Sequence, residues 1–144
     1  MSRRKPRVGE FTTAVVLDSG GLSALTGPSA RSRTWLEWVV RHTGAVVVPA
    51  LVLVETVTGD PRRDAEMNWV LHVLSSKGRT SGVDEPLARL AGTLRYRAGT
   101  DDGIDALVAA EAAHTTQPCV VLTSDPDDLN TLLADHPHVT IRPV

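Results

Sequence analysis

Four acidic residues stand at positions that suggest chemistry rather than solubility. Asp18 and Asp125 each follow a short apolar run that predicts a buried strand. Glu55 and Asp105 lie in helical segments, each on a face that is otherwise apolar. The carboxyl ends of parallel strands meet at one edge of a sheet, where open α/β proteins bind their ligands. We therefore expect the four carboxylates to share one small volume at that edge.

A cluster of this kind favours a divalent cation. Like charges at close range cannot all stay ionised without compensation, and hard carboxylate oxygens select Mg²⁺ or Mn²⁺. An ion held by such oxygens activates water and stabilises the oxyanions of an in-line phosphoryl displacement. The residue types therefore predict metal-assisted phosphoryl chemistry.

Ordinary structural roles compete with this interpretation. Asp18 could cap the helix that follows the first strand, because Asp is common at such turns. Asp105 lies in the first turn of its helix, where the helix dipole stabilises a negative charge. Glu55 is the acid that turn chemistry does not explain, since it follows a wholly apolar run and glutamate is rarely buried without a partner.

The elements that must position these acids alternate between strands and helices. Continuous apolar runs predict strands, and apolar residues at three- and four-residue spacing predict helices. The predicted strands are 14–17, 45–48, 80–83, 118–122 and 139–141, and the predicted helices are 22–25, 32–43, 50–58, 61–77, 85–98, 103–115 and 127–133. This alternation predicts a three-layer α/β/α sandwich with a mainly parallel central sheet.

Length and composition are those of one globular domain. The chain has 144 residues, of which 42% are hydrophobic and 22% charged, and its net charge is −2. The first nine residues hold four of the 15 basic residues and none of the 17 acidic ones. We predict a flexible basic arm over residues 1–13 and a single domain over 14–144. The acidic balance of that domain argues against a surface that coats nucleic acid.

The sequence predicts a cytoplasmic protein without a membrane segment. Its longest apolar stretch, residues 45–54, contains Pro49 and is too short to span a bilayer. No apolar segment of the signal-peptide type precedes Asp18. The single cysteine, Cys119, excludes an internal disulfide and lies in an apolar run that predicts a buried, unreactive thiol.

Four short motifs resemble those of PIN-domain nucleases, and in particular those of the VapC-type toxins of bacterial toxin–antitoxin pairs. The motifs are Val-Val-Leu-Asp-Ser at 15–19, Val-Glu at 54–55, Asp-Ala-Leu-Val-Ala-Ala at 105–110 and Leu-Thr-Ser-Asp-Pro-Asp-Asp-Leu at 122–129. The resemblance covers residues 14–144, and its most specific part is 105–129.

The resemblance implies an Mg²⁺-dependent endoribonuclease toxin that cuts structured RNA, often tRNA or ribosomal RNA. It also implies a homodimer and neutralisation by a cognate VapB-type antitoxin protein. On the matched motifs, the catalytic acids are Asp18, Glu55, Asp105 and Asp125, and all of these except Glu55 are metal ligands. Three neighbouring residues would assist these acids. Asp128 would be a further acid, and the hydroxyls of Ser19 and Thr123 would form hydrogen bonds at the site.

The chain departs from the family pattern in two places. Gly20 and Gly21 follow the first acid, which predicts a looser loop there, and about a dozen residues precede the first strand. Two other functions stay open, a PIN-domain RNase without an antitoxin and a non-catalytic, receiver-like signalling module. The receiver would require a lysine at the end of a late strand, and the only lysines are Lys5 and Lys77.

Overall fold

The computed structural model describes residues 13–144. The predicted basic arm, residues 1–13, therefore lies outside the described residues except for Thr13. In chain order the elements are β1 (Ala14–Leu17), α1 (Ser19–Leu25), α2 (Ala30–His42), β2 (Ala45–Pro49), α3 (Val52–Thr56), α4 (Pro61–Leu74), β3 (Gly78–Ser81), α5 (Glu85–Ala98), α6 (Gly103–His114), β4 (Cys119–Thr123), α7 (Pro126–Leu132) and β5 (Val139–Pro143). The five predicted strands and seven predicted helices are all present, with shifts at their ends.

The five strands form one sheet in the order β3–β2–β1–β4–β5, and every neighbouring pair is parallel. Val16 of the central strand lies beside Val47 of β2 and Val121 of β4. The chain therefore builds the sheet outward from β1 in both directions. The order reverses between β1 and β4, and a sheet of this type forms its ligand crevice at the carboxyl ends of the strands on either side of such a reversal. Asp18 and Asp125 are the next acids after these two strands.

Both faces of the sheet are covered by helices. Successive side chains of a strand point to opposite faces, and all four residues of β1 are buried. In one group of helices α1 packs against α2, α3 and α4, and in the other α5, α6 and α7 pack together. The predicted three-layer α/β/α architecture is confirmed. Within residues 13–144, no helix has the length and apolar character that a membrane crossing requires.

Helix α6 carries one of the predicted acids, and its start is fixed by a capping aspartate. The Asp102 carboxylate accepts hydrogen bonds from the backbone N–H groups of Ile104 (3.0 Å) and Asp105 (2.9 Å). The preceding helix, α5, ends at Gly99, whose φ of 69° is a left-handed conformation that favours glycine. The short connection between these two ends sets α6 against α5, with Asp105 in its first turn.

Two predicted boundaries at the β2–β3 side of the sheet are wrong. Pro49 ends β2 and pairs in register with Ser81, whereas the predicted strand ended at residue 48. The third strand begins at Gly78 rather than at residue 80. A Cβ at Gly78 would lie 2.4 Å from the carbonyl oxygen of Val46, so the close approach of the two backbones requires glycine there.

Candidate active site

Asp18 is fixed at the carboxyl end of the central strand. It is 7% exposed, and its Oδ1 accepts a 2.7 Å hydrogen bond from the backbone N–H of Gly21, so it caps α1. Burial raises the pKa of Asp18, and the negative charge of Glu55 also raises it. The Thr123 hydroxyl and the backbone N–H groups of Gly21 and Gly20 lower it, and the balance leaves the pKa above its ordinary value. The capping role and a place in the acidic site are therefore compatible.

The two glycines after Asp18 do not form the looser loop that the sequence predicted. Helix α1 begins at Ser19, whereas the predicted helix began at residue 22. A Cβ at Gly20 would lie 2.0 Å from Oγ of Ser124, and one at Gly21 would lie 2.2 Å from the carbonyl oxygen of Leu122. The glycines are thus required because the first turn of α1 packs directly on the end of β4. This contact holds the start of α1, directly after Asp18, against the end of β4.

Among the acids of the site, Asp105 has the carboxyl group whose pKa is raised most strongly. It is half-buried in the first turn of α6. Burial raises the pKa of Asp105 to about 7, and the negative charges of Asp102, Asp18, Asp128 and Glu55 add to the effect in that order. Asp105 therefore lies within electrostatic range of acids from three other elements.

Glu55 is exposed, which corrects the premise that it is buried on an apolar face. The apolar run before Glu55 is divided between β2 and the five-residue helix α3. In α3 only Val52 and Thr56 are buried, and the side of the helix that carries Glu55 faces solvent. The charge of Glu55 nevertheless raises the pKa of both Asp18 and Asp105. Its carboxylate is thus close enough to join them, and its catalytic role stays a prediction.

Asp125 stands at the start of α7, and its side chain does not cap that helix. The buried Thr123 hydroxyl spans the turn instead, accepting a hydrogen bond from the Asp125 N–H (3.0 Å) and donating one to the Asp125 carbonyl oxygen (3.1 Å). The Asp125 side chain is left exposed at the end of β4. Thr123 thereby orients the turn after β4 and also contacts Asp18, so it connects the ends of the two central strands.

Two further acids contribute to the site more than their sequence positions indicated. Asp128 is exposed in the first turn of α7, and its charge raises the pKa of Asp105. Asp102, whose side chain caps α6, has the largest effect on the pKa of Asp105 after that of burial. The signal for both was present, as an acid within three residues of a predicted site acid. Ser19, the first residue of α1, is half-buried beside Asp18.

Three other carboxylates therefore act on Asp105 of α6 through their charge, those of Asp18 at the end of β1, Glu55 on α3 and Asp128 on α7. Asp125 lies at the same edge of the sheet. Within residues 13–144, no three His, Cys, Asp or Glu side chains are already arranged closely enough to hold a metal ion. The donor set nonetheless fits Mg²⁺ or Mn²⁺ in its chemistry, since it consists of carboxylates whose repulsion a divalent cation would relieve.

Comparisons with known proteins agree with this architecture. A model of the PIN domain family matches residues 15–131. VapBC2 from Rickettsia felis, in a crystal structure with a DNA fragment from the promoter, is 15% identical with a TM-score of 0.61. VapBC from Salmonella typhimurium, solved bound to DNA, is 17% identical with a TM-score of 0.62, and VapBC-5 from Mycobacterium tuberculosis is 23% identical with a TM-score of 0.55. Each alignment covers 91% of this chain and 98% of the other chain. The search of curated proteins finds no match.

Proposed function

The chain belongs to the PIN domain family, and on that premise we propose that it is a VapC-type toxin, a metal-dependent endoribonuclease that hydrolyses structured RNA such as tRNA or ribosomal RNA. PIN domains are generally nucleases. The observation that carries the proposal is the family match over residues 15–131, joined to the acids at the carboxyl edge of the sheet, which with burial raise the pKa of Asp105 to about 7. Groups perturbed in this way concentrate at functional sites. The family match argues against the receiver-like alternative.

The acids at the carboxyl edge would hold Mg²⁺ or Mn²⁺ through Asp18, Asp105 and Asp125, with Glu55 beside them. When bound, the ion would lower the pKa of a water molecule and stabilise negative charge on the phosphoryl oxygens. Asp18 is already oriented for such a role, because the Gly21 N–H fixes one of its oxygens.

The protein's own residues also control the protons of the site. With its pKa at about 7, the Asp105 carboxyl group is partly protonated near neutral pH in the metal-free protein. A nearby positive charge favours the ionised carboxylate, so cation binding would release that proton. Metal affinity should consequently rise with pH through this range.

The nuclease proposal is tested by incubating the purified protein with bulk tRNA and with ribosomal RNA. We expect cleavage with Mg²⁺ or Mn²⁺ and none with EDTA. Asp105→Asn should lower the cleavage rate by orders of magnitude, whereas Asp127→Asn, on the exposed side of α7, should leave it nearly unchanged. Cleavage that continues undiminished in excess chelator would refute the metal mechanism.

An antitoxin partner is supported by a groove of about 500 Å³ between the α1–α2 region and α4. Leu25, Leu36 and Trp69 contribute to its apolar lining, and Trp69 is 59% exposed. We infer that an apolar segment of a VapB-type antitoxin lies in this groove and that an arginine of the same segment neutralises the acids near Asp18 and Asp125.

The antitoxin proposal is tested by co-expression with the small neighbouring gene, which should give a stable complex and restore growth. Trp69→Ala should weaken that complex and leave RNA cleavage intact. Tyr96→Ala is the matched control, because Tyr96 is an aromatic residue 86% exposed on α5. A toxic protein that no neighbouring gene product can neutralise would instead favour the PIN-domain RNase without an antitoxin.

A homodimer is supported by an apolar surface beside the acidic site. Leu51, Val54 and Val57 are exposed in and around α3, on either side of Glu55 in the sequence. Exposed apolar side chains gathered in this way are typical of protein interfaces. We propose that a second copy covers this surface and that the assembled toxin acts in the cytoplasm, where its RNA substrates are found.

A further inference from the structure

An arginine and two tryptophans form a surface cluster that the chemistry proposed above does not use. Arg142 lies on β5, at the edge of the sheet. Its guanidinium carbon is 5.3 Å from the ring centroid of Trp35 and 4.9 Å from that of Trp38, both on α2. The two rings are 6.1 Å apart and nearly perpendicular, at 81°. We refer to these three residues as the Arg142 cluster.

The corner between the two indole rings holds the guanidinium group in place. Both distances lie within the range of cation–π attraction. Contact with ring faces leaves the N–H groups of a guanidinium able to donate hydrogen bonds. Arg142 is exposed, and it forms no ion pair with any carboxylate of residues 13–144. Its donors are therefore positioned in advance for an anion from outside the chain.

The backbone of Arg142 lies near the acidic edge of the sheet. In register, Arg142 pairs with Leu122 of β4, and Leu122 pairs with Leu17 of β1. Since neighbouring strands are about 4.8 Å apart, the Cα atoms of Arg142 and Leu17 are separated by roughly 10 Å. Asp18 directly follows Leu17. A few nucleotides of an RNA strand whose scissile phosphate is at the acids would span this distance.

The surroundings of the cluster favour a phosphate ligand. Helix α2 also carries Arg31, Arg33 and Arg41, and its one acid, Glu37, faces Arg41 at 4.0 Å. A phosphate matches the two parallel donors of a guanidinium. We propose that the Arg142 cluster binds a backbone phosphate of the RNA substrate next to the acidic edge. This inference rests on the proposed ribonuclease function.

The test measures binding of bulk tRNA to the full chain in EDTA, where the proposed cleavage stops. Arg142→Gln should weaken binding by roughly 5- to 10-fold near 0.1 M salt and reduce the slope of log K against log salt by about one. Arg89→Gln is the matched control, because Arg89 is also exposed but pairs with Glu85 at 2.8 Å. It should change neither quantity.

Tryptophan fluorescence gives a second readout. The chain has three tryptophans, so Trp69→Phe leaves only Trp35 and Trp38. Bulk tRNA should quench their emission, and the quench should shrink when Arg142→Gln is added to this variant. A quench of unchanged size would count against contact between RNA and the cluster.

Equal affinity and equal salt slope for Arg142→Gln and Arg89→Gln would overturn the inference. It would also be overturned if Arg142→Gln weakened only the complex with the antitoxin, since the cluster would then serve a protein partner. Cleavage of RNA by the unsubstituted protein decides the proposed function separately. If cleavage occurs and Arg142→Gln binds normally, the inference alone fails; if no RNA is cleaved with Mg²⁺ or Mn²⁺, the proposed function fails.

Discussion

Replacing Asp105 with asparagine should make the metal-free protein more stable. Burial, followed by the charges of Asp102 and Asp18, raises the pKa of Asp105 from its ordinary value of 3.8 to about 7. Ionised Asp105 is therefore unfavourable in the folded state, and asparagine carries no charge. An ordinary acid in the first turn of a helix behaves in the opposite way, because its charge stabilises the helix by roughly 0.3–1 kcal/mol.

The size of the effect follows from the change in pKa. The difference between about 7 and 3.8 corresponds to roughly 4 kcal/mol of destabilisation once the group is ionised in both states. Asp105 is only half-buried, so solvent screens part of this energy and we take about half of it. Asp105→Asn should thus gain on the order of 2 kcal/mol at pH 8, or roughly 6 °C in melting temperature for a domain of this size.

The gain should depend on pH with a definite sign. The folded-state pKa lies above the unfolded value, so the folded protein holds the Asp105 proton more tightly. The destabilisation is absent below pH 3.8, grows as the pH rises, and is complete above pH 7. The advantage of Asp105→Asn over the unsubstituted protein should therefore be under about 1 kcal/mol near pH 5 and largest above pH 7.

Thermal unfolding in EDTA between pH 5 and pH 8 measures this difference. Asp127→Asn is the control, because Asp127 is exposed in the first turn of α7 and should lose only the dipole energy. Mg²⁺ at 100 times its dissociation constant should add about 2.7 kcal/mol to the unsubstituted protein and much less to Asp105→Asn. If Asp105→Asn melts below the unsubstituted protein at pH 8, as the control does, then Asp105 is only a helix-start acid and the site is misassigned.

Three further predictions concern the rest of the molecule. Gly21→Ala would place a Cβ 2.2 Å from the backbone carbonyl oxygen of Leu122 and should lower the free energy of unfolding by about 1–3 kcal/mol or more. Gly92→Ala is the control, because Gly92 lies in α5 with open space around it, and this substitution should raise the free energy of unfolding by roughly 0.5–1 kcal/mol. Chemical denaturation compares the two variants. Val54→Glu puts a charge on a residue 70% exposed beside Glu55 and should shift a dimer to monomer in light scattering, while a dimer that persists would place the interface elsewhere. Cys119 should react with a thiol reagent at pH 8 only after unfolding, because it is buried and burial raises its pKa to about 11; fast reaction of the native protein would contradict this.

Local sequence pattern was enough to predict every strand and helix. The apolar run Ala14–Leu17 predicted a buried strand because an element covered on both faces needs no polar residues, and β1 is buried throughout. Asp102 and Gly99 mark helix ends for reasons of backbone hydrogen bonding that act within a few residues. The parallel, three-layer architecture followed from the alternation of these elements. Such features depend on neighbours in sequence, so a single chain displays them.

Three properties of the site needed the tertiary structure. The glycines after Asp18 indicated a loose loop, and only the approach of Leu122 from β4 shows that they allow tight packing. The apolar run around Glu55 indicated a buried acid, but α3 is five residues long and turns that acid to solvent.

The charge environment of Asp105 is the third property. Asp102, three residues away in the chain, makes the largest charge contribution, but the others come from Asp18 after β1, Glu55 on α3 and Asp128 on α7, which are far apart in the chain. A carboxyl group's pKa depends on the burial and the through-space distances of its neighbours, and neither quantity is written in the order of the residues. The sequence by itself therefore determined which acids stand at the edge of the sheet. Only the fold decided which of them act on the pKa of Asp105.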